Sequence, residues 1–321
     1  MKYKKFLPYL IIAAFVILIV SYKLAAKIHS TISEIKTENR VTPENGSSSF
    51  SEDSFNFLND DNLINIASFN IQIFGKTKAS KPEVMDILVK TIVQYDLVAI
   101  QEIKDKSGTA IKQLENMLDR TGINYDYVIG PRLGRSSSKE QYAFIYNTNT
   151  IQCIETSGTI KTYPDPDDIF AREPTFAKFQ SNQGNFDFVL INIHTKPSDA
   201  TNEINNLTHV IQYARAIYQD EGDFIVLGDY NADGDYFDET AYSCPLRSSA
   251  YQWLITNDMD TNVAGSERTY DRIVITQKVS EDYTGQSGVF RFDSYCGLTE
   301  VKKVSDHYPV WASFYTNRDT D

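Results

Sequence analysis

Asn70, Glu102, His194, Asp229 and Asn231 each follow a short apolar run, and Asp271, Asp306 and His307 each precede one. Gathered on one rim, these side chains would bring carboxylates, amides and imidazoles together, the mixture that phosphodiester hydrolysis demands. That reaction needs neutralisation of charge building at phosphorus, a water activated in line with the leaving oxygen, and a proton for that oxygen. Glu102 and Asp306 offer hard oxygen donors suited to magnesium, with manganese able to substitute; four histidines and three cysteines are too few for a zinc site. An imidazole beside a buried carboxylate is oriented and made more basic, so His307 with Asp271 is a candidate general base and His194 a candidate acid. In Gly228-Asp229-Tyr230-Asn231-Ala232-Asp233, Asp229 and Asn231 would orient the water and meet phosphate oxygens, and Arg172 supplies a planar positive fork.

Taken singly, each residue has a plainer reading. An Asn or Asp after a strand forms turns, a Glu there is solvated, and a His is often a satisfied core residue. Ser305-Asp306 ahead of an apolar run is also ordinary turn chemistry, and His29 and His209 are assigned to such plain roles. The ordered set is harder to explain by turns than any of its members.

The elements that must position this set are short. Runs rich in Ile, Val and Phe at 63–69, 97–100, 142–146, 186–193, 224–227, 272–275 and 308–314 predict buried strands. Helical spacing puts Val84, Ile87, Leu88 and Ile92 on one face, as it does Ile111, Leu114 and Leu118, and again Ile204, Leu207, Ile211 and Ala214. Strands mixed with helices predict an α/β sandwich. If the strands are largely antiparallel, the end of one and the start of its neighbour share a rim, and the whole polar set converges there.

A hydrophobic content of 41% supplies a core, while a net charge of −12 argues against coating nucleic acid by passive electrostatics and favours metal over polycation at any phosphate site. Cys153, Cys244 and Cys296 are widely spaced and allow one disulfide at most. Phe6 to Tyr22 carries no charge and follows three lysines, which predicts a membrane anchor over 1–26 with the remainder translocated, or a secreted chain if that segment is cleaved. Residues 27–61 are polar and read as a flexible spacer; the folded unit is expected over 62–316, with 317–321 as a tail.

The chain resembles the deoxyribonuclease I family within the endonuclease/exonuclease/phosphatase superfamily. The likeness runs through Ile66-Ala67-Ser68-Phe69-Asn70, Ile100-Gln101-Glu102, Leu133-Gly134-Arg135, Ala171-Arg172-Glu173-Pro174, His194-Thr195-Lys196-Pro197-Ser198-Asp199-Ala200, Tyr270-Asp271-Arg272-Ile273-Val274 and Ser305-Asp306-His307-Tyr308-Pro309-Val310. The resemblance implies a four-layer sandwich of two packed, largely antiparallel sheets flanked by helices, and a metal-dependent endonuclease acting on DNA. It implies that Glu102 ligates the catalytic cation, with Asn70, Asp229, Asn231 and Asp306 completing the metal and phosphate shell, and that Arg135 and Arg172 face the substrate. It further implies two acid–base pairs, His307 with Asp271 and His194 with Glu140; which imidazole is acid and which is base stays open.

Departures from the family pattern matter as much. Lys104 stands where the family has an arginine that enters the DNA minor groove, and Ser138 where it has a tyrosine, which predicts a weaker grip on duplex DNA. Gly234 and Arg268 occupy the positions of a family cysteine pair, and Ala264 interrupts the oxygen-rich segment Asp260 to Ser266 that would hold structural calcium. Tyr127-Val128-Ile129 only loosely resembles an actin-contacting strand, so a monomer without a protein partner is expected. The runners-up are a phosphodiesterase acting on phospholipid head groups beside the membrane, and a binding module that has lost turnover.

Overall fold

The computed structural model describes residues 62–155, 160–294 and 296–320. The expected anchor and the whole of the expected spacer lie outside these residues. Among the described residues no helix is long and apolar enough to cross a membrane.

In chain order the described residues form β1 (Leu63–Phe74), α1 (Lys76–Ala79), α2 (Pro82–Ile92), β2 (Leu97–Ile103), α3 (Thr109–Asp119), β3 (Tyr125–Ile129), β4 (Gln141–Asn147), β5 (Ile151–Cys153), β6 (Lys161–Thr162), β7 (Thr175–Ser181) and β8 (Asp187–His194). They continue with α4 (Ala200–Ile217), β9 (Phe224–Asp229), β10 (Tyr251–Trp253), β11 (Asp271–Thr276), β12 (Tyr283–Val289), α5 (Leu298–Val304) and β13 (Val310–Tyr315). One sheet has the order β12-β13-β1-β2-β4-β3 and the other β10-β11-β9-β8-β7-β5, with β6 added beside β7.

Both sheets are mixed. Only β1 with β2 and β8 with β9 run parallel among the described pairings. Each parallel pair needs a crossover, which α1 and α2 supply for the first and α4 for the second. Pro82 opens α2 at a position where its missing N–H costs nothing.

Strand periodicity splits the core into layers. Ile64, Ile66, Leu97, Ala99 and Phe144 of the first sheet meet Phe188, Leu190, Ile225, Leu227 and Ile273 of the second. The alternate residues Ala67, Phe69, Val98 and Ile100 turn outward onto Val84, Leu88, Ile111 and Leu114. On the far side Val189, Ile191 and Val226 cover Ile204, Leu207 and Ile211 of α4. Helix, sheet, sheet, helix is therefore the order of layers, and the three expected helical faces are the buried ones.

Every apolar run read as a strand forms one. The strands that the sequence did not announce are mostly marginal: β12 is an edge strand with Gly285 and Gly288 and no fully buried residue. The residues at 317–320 are tied down, since Asp319 is buried and accepts from the Asp187 amide at 3.3 Å while its carbonyl accepts from Asn185 at 2.7 Å.

Candidate active site

The parallel pairs decide where the polar residues meet. Because β1 and β2 run together, Asn70 and Gln101 leave their strands side by side, with Glu102 next along. Because β8 and β9 run together, His194 lies opposite Asp229. The antiparallel neighbour β11 starts at that rim, so Asp271 also pairs with Asp229. β13 runs against β1, which brings His307, just ahead of Val310, to the same place. Glu140 arrives through the bridge Leu133–Glu140 that leads into β4.

At the centre, one carboxylate oxygen lies between two imidazoles. His194 Nε2 and His307 Nε2 are each 3.4 Å from Asp229 Oδ2. Behind them, His194 Nδ1 lies 2.8 Å from Glu140 Oε1 and His307 Nδ1 lies 2.7 Å from Asp271 Oδ2. Each rear carboxylate fixes a proton on Nδ1 and leaves Nε2 facing the cleft. Tyr142 accepts the His194 amide at 3.0 Å, and Ser305 Oγ accepts the His307 amide at 3.0 Å while donating to the Asn70 carbonyl at 2.6 Å.

Electrostatics follow from this packing. Burial alone would push the Glu140 carboxyl up, but His194, Arg172 and Lys104 hold it down at about 2. Burial disfavours charging of either imidazole, yet Glu140 and Asp229 raise the pKa of His194, and Asp271 and Asp229 raise that of His307 well above the ordinary value. Burial likewise opposes ionisation of Asp229, and the two histidines outweigh it, leaving its pKa low.

Beside this centre, Asn70 Nδ2 donates to Asp229 Oδ2 at 3.0 Å and to Glu102 Oε1 at 3.3 Å. Glu102 Oε2 accepts from the Ile73 amide at 2.9 Å, and Asp306 Oδ2 accepts from Gln72 Nε2 at 2.8 Å. Consecutive residues thus hold the two carboxylates. Glu102 itself sits at φ +62, a left-handed conformation that costs a non-glycine residue energy and is found where surrounding structure enforces it. Asn231, at φ +48, caps Asp229 Oδ1 with its amide at 3.0 Å and spends its Nδ2 on the Thr195 carbonyl at 3.1 Å.

The cations read from the sequence have partners of their own. Arg172 gives Nε and Nη2 to the carbonyls of His194 and Thr195, at 2.8 to 2.9 Å, and lies 3.3 Å from Glu140, so its fork braces the end of β8. Lys104 pairs with Glu140 Oε2 at 2.8 Å. Arg135 lies on the surface against Asp168 at 3.1 Å. Ser138 lies exposed in the same 134–139 loop.

Sequence reasoning passed over Gln72 and Lys78. Lys78 donates to the carbonyls of Ile71, Gln72 and Val304, clamping the end of β1 to the turn before Asp306. Burial pulls its pKa down to about 8, although Asp306 and Glu102 oppose the shift. Gln72 follows Asn70 by two residues, but the register of β1 shifts between Asn70 and Phe74, so strand alternation could not have placed it. Nothing local marks Lys78.

Glu102 and Asp306 present carboxylate oxygens on the solvent side of the cleft, the Asp306 side chain being 50% exposed. These are hard oxygen donors of the kind that suits a divalent cation, while Asn70 beside them turns its Nδ2 to Glu102 and its Oδ1 to the Gln72 amide. An ion held there would supply charge neutralisation at a phosphoryl oxygen. Asp229, Asp271 and His307 also place ligand atoms within 4.8 Å of one another, but these are already joined by the contacts above. A second such group, Asp223, Asp282 and Asp319, lies at the opposite end of β9.

Residues 67–307 match the profile of the Endonuclease/Exonuclease/phosphatase family. The sequence is 35% identical to Deoxyribonuclease-1 of Bos taurus over 77% of this chain and 90% of that protein. It is 37% identical to Deoxyribonuclease gamma of Homo sapiens over 79% of this chain and 86% of that protein. The chain belongs to the endonuclease/exonuclease/phosphatase family, in its deoxyribonuclease I-like branch. Among solved structures, an endonuclease/exonuclease/phosphatase family protein from Bacteroides thetaiotaomicron superimposes with a TM-score of 0.55 at 15% identity, over 78% of this chain and 97% of that one, a likeness of fold.

This member of the family has no covalent staple among its cysteines: Cys153, Cys244 and Cys296 are all free. Gly234 faces Arg268 closely enough that a Cβ on Gly234 would lie 3.3 Å from Arg268 Nε. The segment from Asp260 closes on itself instead. Asp260 Oδ1 accepts the amides of Asn262 and Arg268 at 3.1 Å, and Asn262 Nδ2 donates to the Ser266 carbonyl at 2.8 Å.

Proposed function

We propose that this chain is a divalent-metal-dependent endonuclease that hydrolyses phosphodiester bonds of DNA. The reading rests on one observation above all: two imidazoles, each backed by its own buried carboxylate, converge on a single oxygen of Asp229. One neutral and one charged imidazole in that position can take a proton from water and give one to the leaving oxygen. Glu102, Asp306 and Asn70 hold magnesium, Asp229 and Asn231 orient the water, and Glu140 and Asp271 fix the imidazoles. The relatives named deoxyribonuclease support DNA as substrate.

Nicking of supercoiled plasmid tests this. Magnesium should support it, EDTA should abolish it, and His194→Ala or His307→Ala should each reduce it by about 10³-fold. Full activity in either variant would refute the assignment, and release of phosphocholine from lipid without nicking would favour the head-group reading.

We further propose that residues 6–22 anchor the enzyme with its catalytic domain on the outer side of a membrane. The uncharged run and the lysines ahead of it support this. The domain would be degraded when protease is added to intact cells; protection until lysis would rule the topology out.

A further inference from the structure

Near its end β1 passes through a bend that costs the chain energy and leaves an apolar side chain exposed. Gln72 and Ile73 sit at φ +33 and +52, consecutive left-handed positions. Such a conformation is uncommon for any residue with a Cβ and an outlier for a β-branched one. Packing does not offset it, because Ile73 is 62% exposed. A turn that served the fold alone would suit Gly or Asn here.

The bend is enforced from several sides. Lys78 donates to the Ile71 carbonyl at 2.9 Å, to the Gln72 carbonyl, and to the Val304 carbonyl at 2.6 Å. Asn70 Oδ1 accepts the Gln72 amide at 2.9 Å, the Gln72 side chain reaches Asp306 at 2.8 Å, and Glu102 accepts the Ile73 amide at 2.9 Å. These contacts fix Ile73 beside the two carboxylates that would hold the cation at the scissile phosphate, with its side chain in solvent. The apolar surface next to a phosphate in a nucleic acid is the C–H face of deoxyribose. We propose that Ile73 is a substrate-contacting residue that packs against the deoxyribose flanking the scissile phosphodiester, and that the strain of the bend is kept for that contact. The inference rests on the nuclease reading above and deepens it.

Ile73→Asn and Ile73→Val, in the full chain, test it. Asn tolerates the left-handed backbone and lacks the apolar contact; Val keeps both the branching and the apolar surface. The readouts are thermal melting and kcat/KM on duplex DNA and on bis(p-nitrophenyl) phosphate, a diester without a sugar. The expected result for Ile73→Asn is a Tm higher by about 2 °C or more and a duplex-to-small-diester selectivity lower by about tenfold, with Val retaining most of the selectivity. Unchanged selectivity in Ile73→Asn, whatever its Tm, would overturn the proposal while leaving the nuclease reading intact. Failure of the parent protein to cleave either diester with magnesium would overturn both.

Discussion

Asp229 does the work of a shared counterion: its Oδ2 faces both imidazoles and adds to the rear carboxylate that favours the charged form of each. The rear carboxylates differ in company. Glu140 has Lys104 and Arg172 as well as His194, whereas Asp271 is fully buried and has, among the described residues, only His307 as a cation partner. Asp271 therefore depends more heavily on a single neighbour. In metal-free protein, NMR titration of the imidazole protons should show His307 charged to higher pH than a free histidine. In Asp271→Asn that pKa should fall, because the imidazolium loses its nearest negative partner. The linkage has a definite sign. A raised folded-state pKa stabilises the fold fully below the unfolded value near pH 6.5, and that contribution fades as pH rises through the folded value. Asp271→Asn should consequently lose more stability in urea at pH 5.5 than at alkaline pH; an unshifted His307 titration would contradict the pairing.

Elements place these residues to within a hydrogen bond, and two positions show how tightly. Gly228 sits at φ +144, one residue before Asp229, where an added Cβ would lie 1.8 Å from the Ile193 carbonyl oxygen. The parallel pairing that sets His194 against Asp229 therefore needs glycine. Gly228→Ala should lower stability by about 3 kcal/mol or more and depress nicking further than its melting loss explains, because β8 and β9 must separate. In α4, Glu203 is fully buried and accepts the amides of Ala171 and Lys196 at 3.1 and 3.3 Å. Burial pushes its carboxyl up to about 7. The unfolded chain gives up that proton near pH 4.5 and the folded chain only near neutrality, so stability drains away as pH rises between those values. Glu203→Gln should flatten this slope, gaining about 1–2 kcal/mol at pH 8 and little at pH 4.5 in urea melts. Equal slopes in parent and variant would show that Glu203 ionises normally.

At the scale of the molecule, stability is carried by three apolar layers rather than by cross-links. The Asp260 loop satisfies its oxygens internally, and Arg291 approaches Asp260 Oδ2 at 3.6 Å, where a cation would otherwise be attracted. Melting in EGTA with magnesium present should therefore stay within about 2 °C of melting in millimolar calcium. A large calcium-dependent rise would show that the loop binds the ion despite Ala264.

The sequence by itself determined the strand runs, the three helical faces and the residue types of the candidate site, because burial writes periods of two and 3.6 into a chain. It also carried the family, since those residues recur in a fixed order along most of the folded part. Only the tertiary structure decided what the cations do. Arg172 and Lys104 brace Glu140, and Lys78 clamps the end of β1, because a long side chain takes the nearest acceptors that folding brings to it. The strain at Gln72, Ile73 and Glu102 was equally invisible, because φ is imposed by contacts with residues as distant as Val304 and Asp306 and leaves no mark in local composition.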